Sequence, residues 1–258
     1  MTPDEELLVL AGATGAYREV RPPAALDAHF QCIWSNACAQ GTGRRLAVVP
    51  DGCVDLTWNE GELMVAGPDV TVAVTPLAAG STVVGVRFRP GAARAWLGLP
   101  LSEIVGGRMP LCQFWGRRAG RIAARVGDAP TTAGRMRVLA ETLGRVATDI
   151  EIPPPEMGFV FAALRTGSTG HRMANLSDQL DTSPRTLRRR CREAFGYGPK
   201  TLDRILRFQR FLDLARGEEP RLADLASASG YADQAHLTRE VRRLSGLSPT
   251  AVLAQLAA

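Results

Sequence analysis

Two stretches of this chain are built to one plan, and that plan limits what the last third can fold into. Ser183-Pro-Arg-Thr-Leu-Arg-Arg-Arg-Cys-Arg192 opens on a residue whose hydroxyl can accept an orphan helix N–H, with proline at the first helical position. Leu187, Cys191 and Phe195 recur at four-residue steps on one face, and Arg185, Arg188, Arg189 and Arg192 line the other. Asp233-Gln-Ala-His-Leu-Thr-Arg-Glu-Val-Arg242 repeats the plan, with Leu237, Val241 and Leu244 inside and Gln234, Thr238, Arg239 and Arg242 outside. Each is followed by a glycine and, three residues later, a proline: Gly196-Tyr-Gly-Pro199 and Gly246-Leu-Ser-Pro249. A short helix precedes each one, at Met173–Leu180 and Leu222–Ser229, and a longer helix over Lys200–Arg216 joins the two pairs.

A short helix, a tight turn and a capped helix with a polar outer face form the helix-turn-helix plan, in which the second helix enters the major groove of DNA. Arginine pairs bidentately with guanine and glutamine with adenine. A rigid joining helix would set the two reading helices about 34 Å apart, one turn of duplex. The charge agrees. From His171 onward there are 15 Lys+Arg against 10 Asp+Glu, so the whole net charge of +5 lies there and residues 1–170 are neutral. A basic segment beside a neutral one points to a polyanion-binding module joined to something else.

At these residues the chain resembles the AraC/XylS family of bacterial transcription regulators, over about residues 158–258. The resemblance is carried by Ser183-Pro-Arg-Thr-Leu187, Arg207-Phe-Gln-Arg210, Gly230-Tyr-Ala-Asp-Gln-Ala-His-Leu-Thr-Arg239 and Gly246-Leu-Ser-Pro249. It implies base or phosphate contacts from Arg185, Arg188 and Arg189 in the first unit and from Gln234, Ala235, Thr238 and Arg239 in the second. The full expected set also takes in Arg192 and Arg242. One departure is Asp181, where the family's turn usually has glycine, as this chain has at Gly230.

The front half has a different texture. Leu46–Val49, Val54–Trp58, Leu63–Ala66, Val70–Val74 and Val83–Phe88 read as short strands, punctuated by turn signals such as Pro50-Asp-Gly52 and Asn59-Glu-Gly61. Ala92–Leu97, Cys112–Val126 and Thr132–Thr148 read as helices. Val49-Pro-Asp-Gly-Cys-Val-Asp-Leu56 and Gly85-Val-Arg-Phe-Arg-Pro-Gly-Ala92 resemble an uncharacterised sensory domain of such regulators, which implies a small cupin-like β-barrel followed by helices.

The expected fold class is therefore α+β: a β-barrel with trailing helices, then an all-α part of two helix-turn-helix units. Residues 1–150 form the sensory or dimerising domain, 151–170 a linker and entry helix broken by Ile152-Pro-Pro-Pro155 and jointed at Gly167-Ser-Thr-Gly170, and 171–258 the DNA-binding domain.

In the front half Asp51, Cys53, Asp55, Trp58 and Arg87 are candidate ligand residues, since a carboxylate, an arginine and an aromatic suit a small polar effector. Alternation puts Cys53, Asp55 and Thr57 on one face and Val54, Leu56 and Trp58 on the other. The alternative is structural, with Asp51-Gly52 a turn and Asp55–Arg87 a cross-strand ion pair. Cys53 as a thiol open to oxidation or alkylation, and His29, Cys32 and Cys38 as soft metal ligands, are further options.

The five cysteines show no C-x-x-C pair, which argues against a disulfide framework or a zinc knuckle. No G-x-S-x-G, P-loop, H-E-x-x-H or dinucleotide glycine motif is present, so the expectation is no enzyme and no cofactor. The acidic start and the lack of a long apolar run predict a cytoplasmic protein that avoids membranes. The expected partners are double-stranded promoter DNA, a small-molecule effector, a second copy of the chain in a homodimer, and RNA polymerase if the protein activates. The alternative front-domain role is dimerisation or the holding of a protein partner.

Overall fold

The computed structural model describes residues 8–11, 16–38, 44–167, 173–217 and 221–257. The joint expected at 168–170 and His171 lie outside them.

The first part is built on two sheets. The larger has six strands in the order β2 (Tyr17–Val20), β3 (Phe30–Ala37), β8 (Thr82–Phe88), β5 (Asp55–Asn59), β6 (Glu62–Ala66) and β9 (Arg108–Pro110). The smaller has the order β1 (Val9–Leu10), β4 (Arg44–Val48) and β7 (Ala73–Leu77). The α+β class is as expected, but the sheets stay open rather than closing into a barrel. Two of the strands read as barrel staves, β4 and β7, pair with each other in register Ala47↔Val74 and leave the larger sheet. Pro76, which has no N–H for a ladder, fits because β7 is an edge.

Helices α1 (Ala93–Leu97), α2 (Cys112–Trp115), α3 (Arg117–Gly127) and α4 (Thr132–Ala147) complete this part. The expected helix over Cys112–Val126 breaks at Gly116, whose φ of 53° is a left-handed value. One face of the larger sheet packs on α3 and α4 through Leu56, Trp58, Val84, Val86, Ile122, Val126, Leu139 and Leu143, all buried. The Trp58 indole donates to the Ala123 carbonyl at 2.9 Å and lies under the Arg135 guanidinium.

Past the proline run, α5 (Pro155–Thr166), α6 (Met173–Gln179), α7 (Pro184–Phe195), α8 (Pro199–Leu214), α9 (Leu222–Ser229), α10 (Gln234–Ser245) and α11 (Pro249–Leu256) follow. They form two cores. Val160, Phe161, Leu164, Leu176, Leu187, Cys191, Phe195, Leu202 and Leu206 make one. Phe208, Phe211, Leu225, Leu237, Val241, Leu244 and Val252 make the other, joined by Leu10 and Ala47 from the smaller sheet. No helix among the described residues is long and apolar enough to cross a membrane.

Candidate nucleic-acid interface

Each reading helix starts as its sequence implies. The Ser183 hydroxyl accepts from the Thr186 N–H at 3.1 Å, and the Asp233 carboxylate accepts from the His236 N–H at 2.6 Å. Ser183→Ala and Asp233→Ala are each expected to cost about 1 kcal/mol, read as a shift in the urea unfolding midpoint of the full chain. Each helix ends on a left-handed glycine whose N–H returns to the preceding turn, Gly196 to the Arg192 carbonyl and Gly246 to that of Arg242. The turn before α7 takes the same left-handed backbone from a non-glycine residue, Asp181 with φ 43°, where Gly230 has φ 86° before α10. A short polar side chain tolerates that region at some strain.

The buried stripes are Leu187, Cys191, Ala194 and Phe195 in α7, and Leu237, Val241, Leu244 and Ser245 in α10. Arg185, Arg188, Arg189, Arg192, Gln234, Ala235, Arg239 and Arg242 are exposed, and Thr238 is half-buried with its hydroxyl donating to the Gln234 carbonyl at 2.8 Å. The two groups lie on separate helices in separate units, as the spacing requires. Arg189 alone of these arginines is in an ion pair among the described residues, with Glu193 at 3.1 Å. Sequence reasoning passed over Arg190, Lys200 and Arg243, which are also exposed. Lys200 lines a cavity of about 310 Å³ with Arg188 and Arg192, at the mouth between α7 and α8.

Helix α8 holds the units together, packing on α5, α7, α9 and α10. Arg210 donates to the carbonyls of Leu164 at 2.6 Å and Ser229 at 3.3 Å, closing the C-terminal ends of α5 and α9 with one guanidinium. His236 packs edge-on against Tyr231, and the Arg207 guanidinium lies over the same ring. His236 is thus part of the framework.

The front part touches both units at equivalent places. A Cβ on Gly196 would stand 2.7 Å from Pro68 Cγ and 2.8 Å from Val105 Cγ2, and one on Gly246 would stand 3.6 Å from Val72 Cγ1. Glu193, paired with Arg189, also reaches Arg94 of α1 at 3.7 Å. The Gln209 amide donates to the Pro50 carbonyl at 2.6 Å. Gln255 of α11 accepts from the Leu10 N–H at 2.8 Å and donates to the Leu8 carbonyl at 2.9 Å.

The residues offered for a ligand divide. Asp51, Cys53, Asp55 and Arg87 come together, whereas Trp58 lies on the opposite face, in the core. Arg87 Nε and Nη2 each donate to Asp55 at 3.0 Å across a β5–β8 pair in which the two residues are directly opposed, and Nη2 stands 3.1 Å from Asp51. Burial works against the Arg87 charge, but Asp51 and Asp55 outweigh it and hold its pKa well above the usual value. Burial raises Asp55, with Arg87 pulling the other way. Burial and the Asp51 carboxylate push the Cys53 thiol well up, so it stays protonated at neutral pH.

The turn carrying these residues abuts the second part. A Cβ on Gly52 would stand 2.9 Å from the Phe161 ring and 3.2 Å from Leu202 Cδ1. The Tyr197 hydroxyl is buried without a partner among the described residues. Burial first, then Asp51, Cys53 and Asp69, drive its pKa up. No three His, Cys, Asp or Glu side chains among the described residues stand close enough to share a metal ion.

Residues 176–255 match a family described as a helix-turn-helix domain, and residues 18–110 match one described as a domain of unknown function. No curated protein matches. Among solved structures, an apo form of ToxT from Vibrio cholerae strain SCE256 is similar at 12% identity over 88% of this chain and 97% of its own, with a TM-score of 0.49. A DNA-binding transcriptional dual regulator from Escherichia coli K-12 is similar at 22% identity over 38% of this chain and 92% of its own, with a TM-score of 0.34. The C-terminal domain of AraT, a response regulator from Geobacillus stearothermophilus, is similar at 19% identity over 37% of this chain and 84% of its own, with a TM-score of 0.32. The chain thus carries an AraC-type helix-turn-helix domain at its C-terminal end and a domain of unknown function in front of it.

Proposed function

We propose that this DNA-binding transcriptional regulator is sequence-specific, with α7 and α10 reading neighbouring major grooves of one duplex. The contacts are Arg185, Arg188, Arg189 and Arg192 from α7 and Gln234, Ala235, Thr238, Arg239 and Arg242 from α10. The observation that carries this is the pairing of two capped helices with exposed, mostly carboxylate-free arginine faces on one connecting helix. Residues 171–258 are the DNA-binding unit, 151–170 the linker and entry helix, and residues up to 150 the controlling unit.

Control follows from where the front part touches the reading units. The Asp51–Cys53 turn rests on Phe161 and Leu202 and is held by Arg87. A small polar effector that competes for Arg87 frees this turn, and it shifts the protein only through unequal affinity for the two arrangements. A cavity of about 490 Å³ between α1 and Glu151–Pro154 adjoins another of about 270 Å³ that reaches Arg189 and Arg190, so a ligand there would also touch both parts. Self-association through the front part, with no effector, is the alternative. Thermal melts of the full chain with small polar ligands separate the two: a ligand-dependent shift supports the effector, and sedimentation as a dimer with no such shift supports the alternative.

The test is recovery of genomic fragments by the purified chain, washed at two salt concentrations. A few promoters that survive the higher salt support the reading, and uniform binding that vanishes with salt removes it. Arg188→Ala and Arg239→Ala are expected to weaken binding to a recovered promoter by about 1–3 kcal/mol for each base edge no longer held, and to relax base preference there. An equal weakening on random duplex would restrict those arginines to phosphate.

A further inference from the structure

Helix α3 lies in the front part, and the proposed function leaves it unused. Its buried stripe is Ala119, Ile122, Ala123 and Val126, while Arg117, Arg118, Arg121 and Arg125 are all exposed. At about 100° of turn per residue, the four arginines fall within an arc of about 100° opposite that stripe. The helix holds no acidic residue, and among the described residues none of the four guanidiniums has a carboxylate partner. The Trp115 ring lies 5.9 Å from the Arg118 guanidinium carbon. Elsewhere in the front part Arg87, Arg89, Arg94, Arg108 and Arg137 each answer an Asp or Glu, and the arginines that do not, Arg18, Arg21, Arg45, Arg135 and Arg145, are not gathered on one helix face as these four are.

This placement works against the helix itself. Arg117, Arg121 and Arg125 repel at successive four-residue steps. Arg117 and Arg118 set positive charge at the helix N-terminus, where the macrodipole is already positive. An arrangement that is locally unfavourable on two counts, and that resembles the outer faces of α7 and α10, fits an anionic partner outside the chain.

We propose that the arginine face of α3 is a third duplex contact, binding phosphates beside the segment that the reading helices occupy. The proposal rests on the DNA-binding reading above. From Arg117 to Arg125 the face spans ~12 Å. Over that length a B-form duplex presents about seven phosphate charges, and a guanidinium fork matches phosphate oxygens. Packing joins α3 to the first reading unit: Trp115 stacks on Trp96 of α1 at 6.0 Å, and α1 meets α7 through Arg94 and Glu193. A contact made on the same body as α7 is an intramolecular second binding event once α7 is seated.

The experiment compares the full chain with Arg117→Ala/Arg121→Ala/Arg125→Ala on a random-sequence duplex of about 40 base pairs, long enough for two reading helices and a flank. Binding is followed as log K against log salt. The variant is expected to show a slope shallower by about 0.9 for each phosphate no longer neutralised, up to about 2.7, with a melting temperature no lower than that of the wild type, since the repulsion along α3 is relieved. Arg121→Glu/Arg125→Glu is expected to fall further at every salt concentration. Superimposable slopes for wild type and variant, in a wild type that binds, would overturn this proposal alone and leave the face to an acidic protein surface. A wild type that shows no salt-dependent binding would remove the proposed function and this contact with it.

Discussion

Gly196→Ala is expected to destabilise the protein by about 2–5 kcal/mol, while Gly246→Ala, its counterpart in the second unit, costs only about 1 kcal/mol. Both glycines end a reading helix in the left-handed region, with φ 85° and 73°, so the backbone penalty is nearly the same. Their surroundings differ. The new methyl at 196 would stand 2.7 Å from Pro68, 2.8 Å from Val105 and 3.1 Å from the Leu101 carbonyl, whereas at 246 the nearest atom is 3.6 Å away. A proline ring and a backbone carbonyl cannot retreat as the tip of a long side chain can, so overpacking adds to the backbone term at 196 alone. Urea unfolding of the two single variants measures the difference. Equal losses would mean that the front part does not press on the first reading unit. Because relief comes most easily by parting Gly196 from Pro68, Gly196→Ala should also alter promoter affinity more than Gly246→Ala does.

Arg87→Met is expected to cost about 3–5 kcal/mol at neutral pH. The substitution keeps roughly the same bulk but leaves Asp51 and Asp55, whose side chains are 29% and 16% exposed, without their shared cation. The pH dependence has a definite sign. Burial already holds Asp55 above the usual carboxylate pKa, and Arg87 is what pulls it down. Without Arg87 the folded-state pKa rises further, so the folded variant binds more protons than the unfolded chain between the ordinary carboxylate pKa and the raised one. Stability of the variant therefore falls as pH rises through that window, and the gap from wild type closes on acidification. Thermal melts from pH 7 downward test this, and a pH-independent gap would place the loss in packing instead. Since the Asp51–Cys53 turn lies against Phe161 and Leu202, the variant should also respond to DNA differently from one that perturbs only the sheet.

What could be read from the sequence was what is local. The caps at Ser183 and Asp233, the glycine stops and the apolar stripes of α7 and α10 are each set within a few residues, and all stand as expected. The Asp55–Arg87 pair was legible as one of two alternatives because Asp55 sits on a cleanly alternating strand and each residue is a lone charge within a short apolar strand. Strand β3 was missed because Phe30–Ala37 is buried on both faces in the middle of the sheet, and a strand covered on both sides has no alternation to show. Strand β7 begins three residues later than Val70, at Ala73, since its register is fixed by β4 and not by its own valines. The contacts between the parts were illegible in principle. Gln209 meets Pro50 across 159 positions and Gln255 meets Leu8 across 247, and nothing near any of these residues marks its partner. Trp58, by contrast, was legible: alternation already set it on the face opposite Cys53 and Asp55, and it lies there in the core, apart from the rest of the candidate ligand set.

Helix α8 runs unbroken from Pro199 to Leu214, with neighbours on both reading units and a guanidinium closing two helix ends against it. A stiff spacer of this kind makes the gap between the two DNA half-sites part of the message. If α7 and α10 read neighbouring grooves as proposed, the protein recognises one long word with a fixed blank in its middle, and not two short words that tolerate any separation. A single base pair inserted into the blank rotates one half-site away from its helix, so it damages the word as a substitution inside it does. Such a word is rare in a genome even when each half is common, and a search for target promoters can hold the spacing constant while letting individual letters vary.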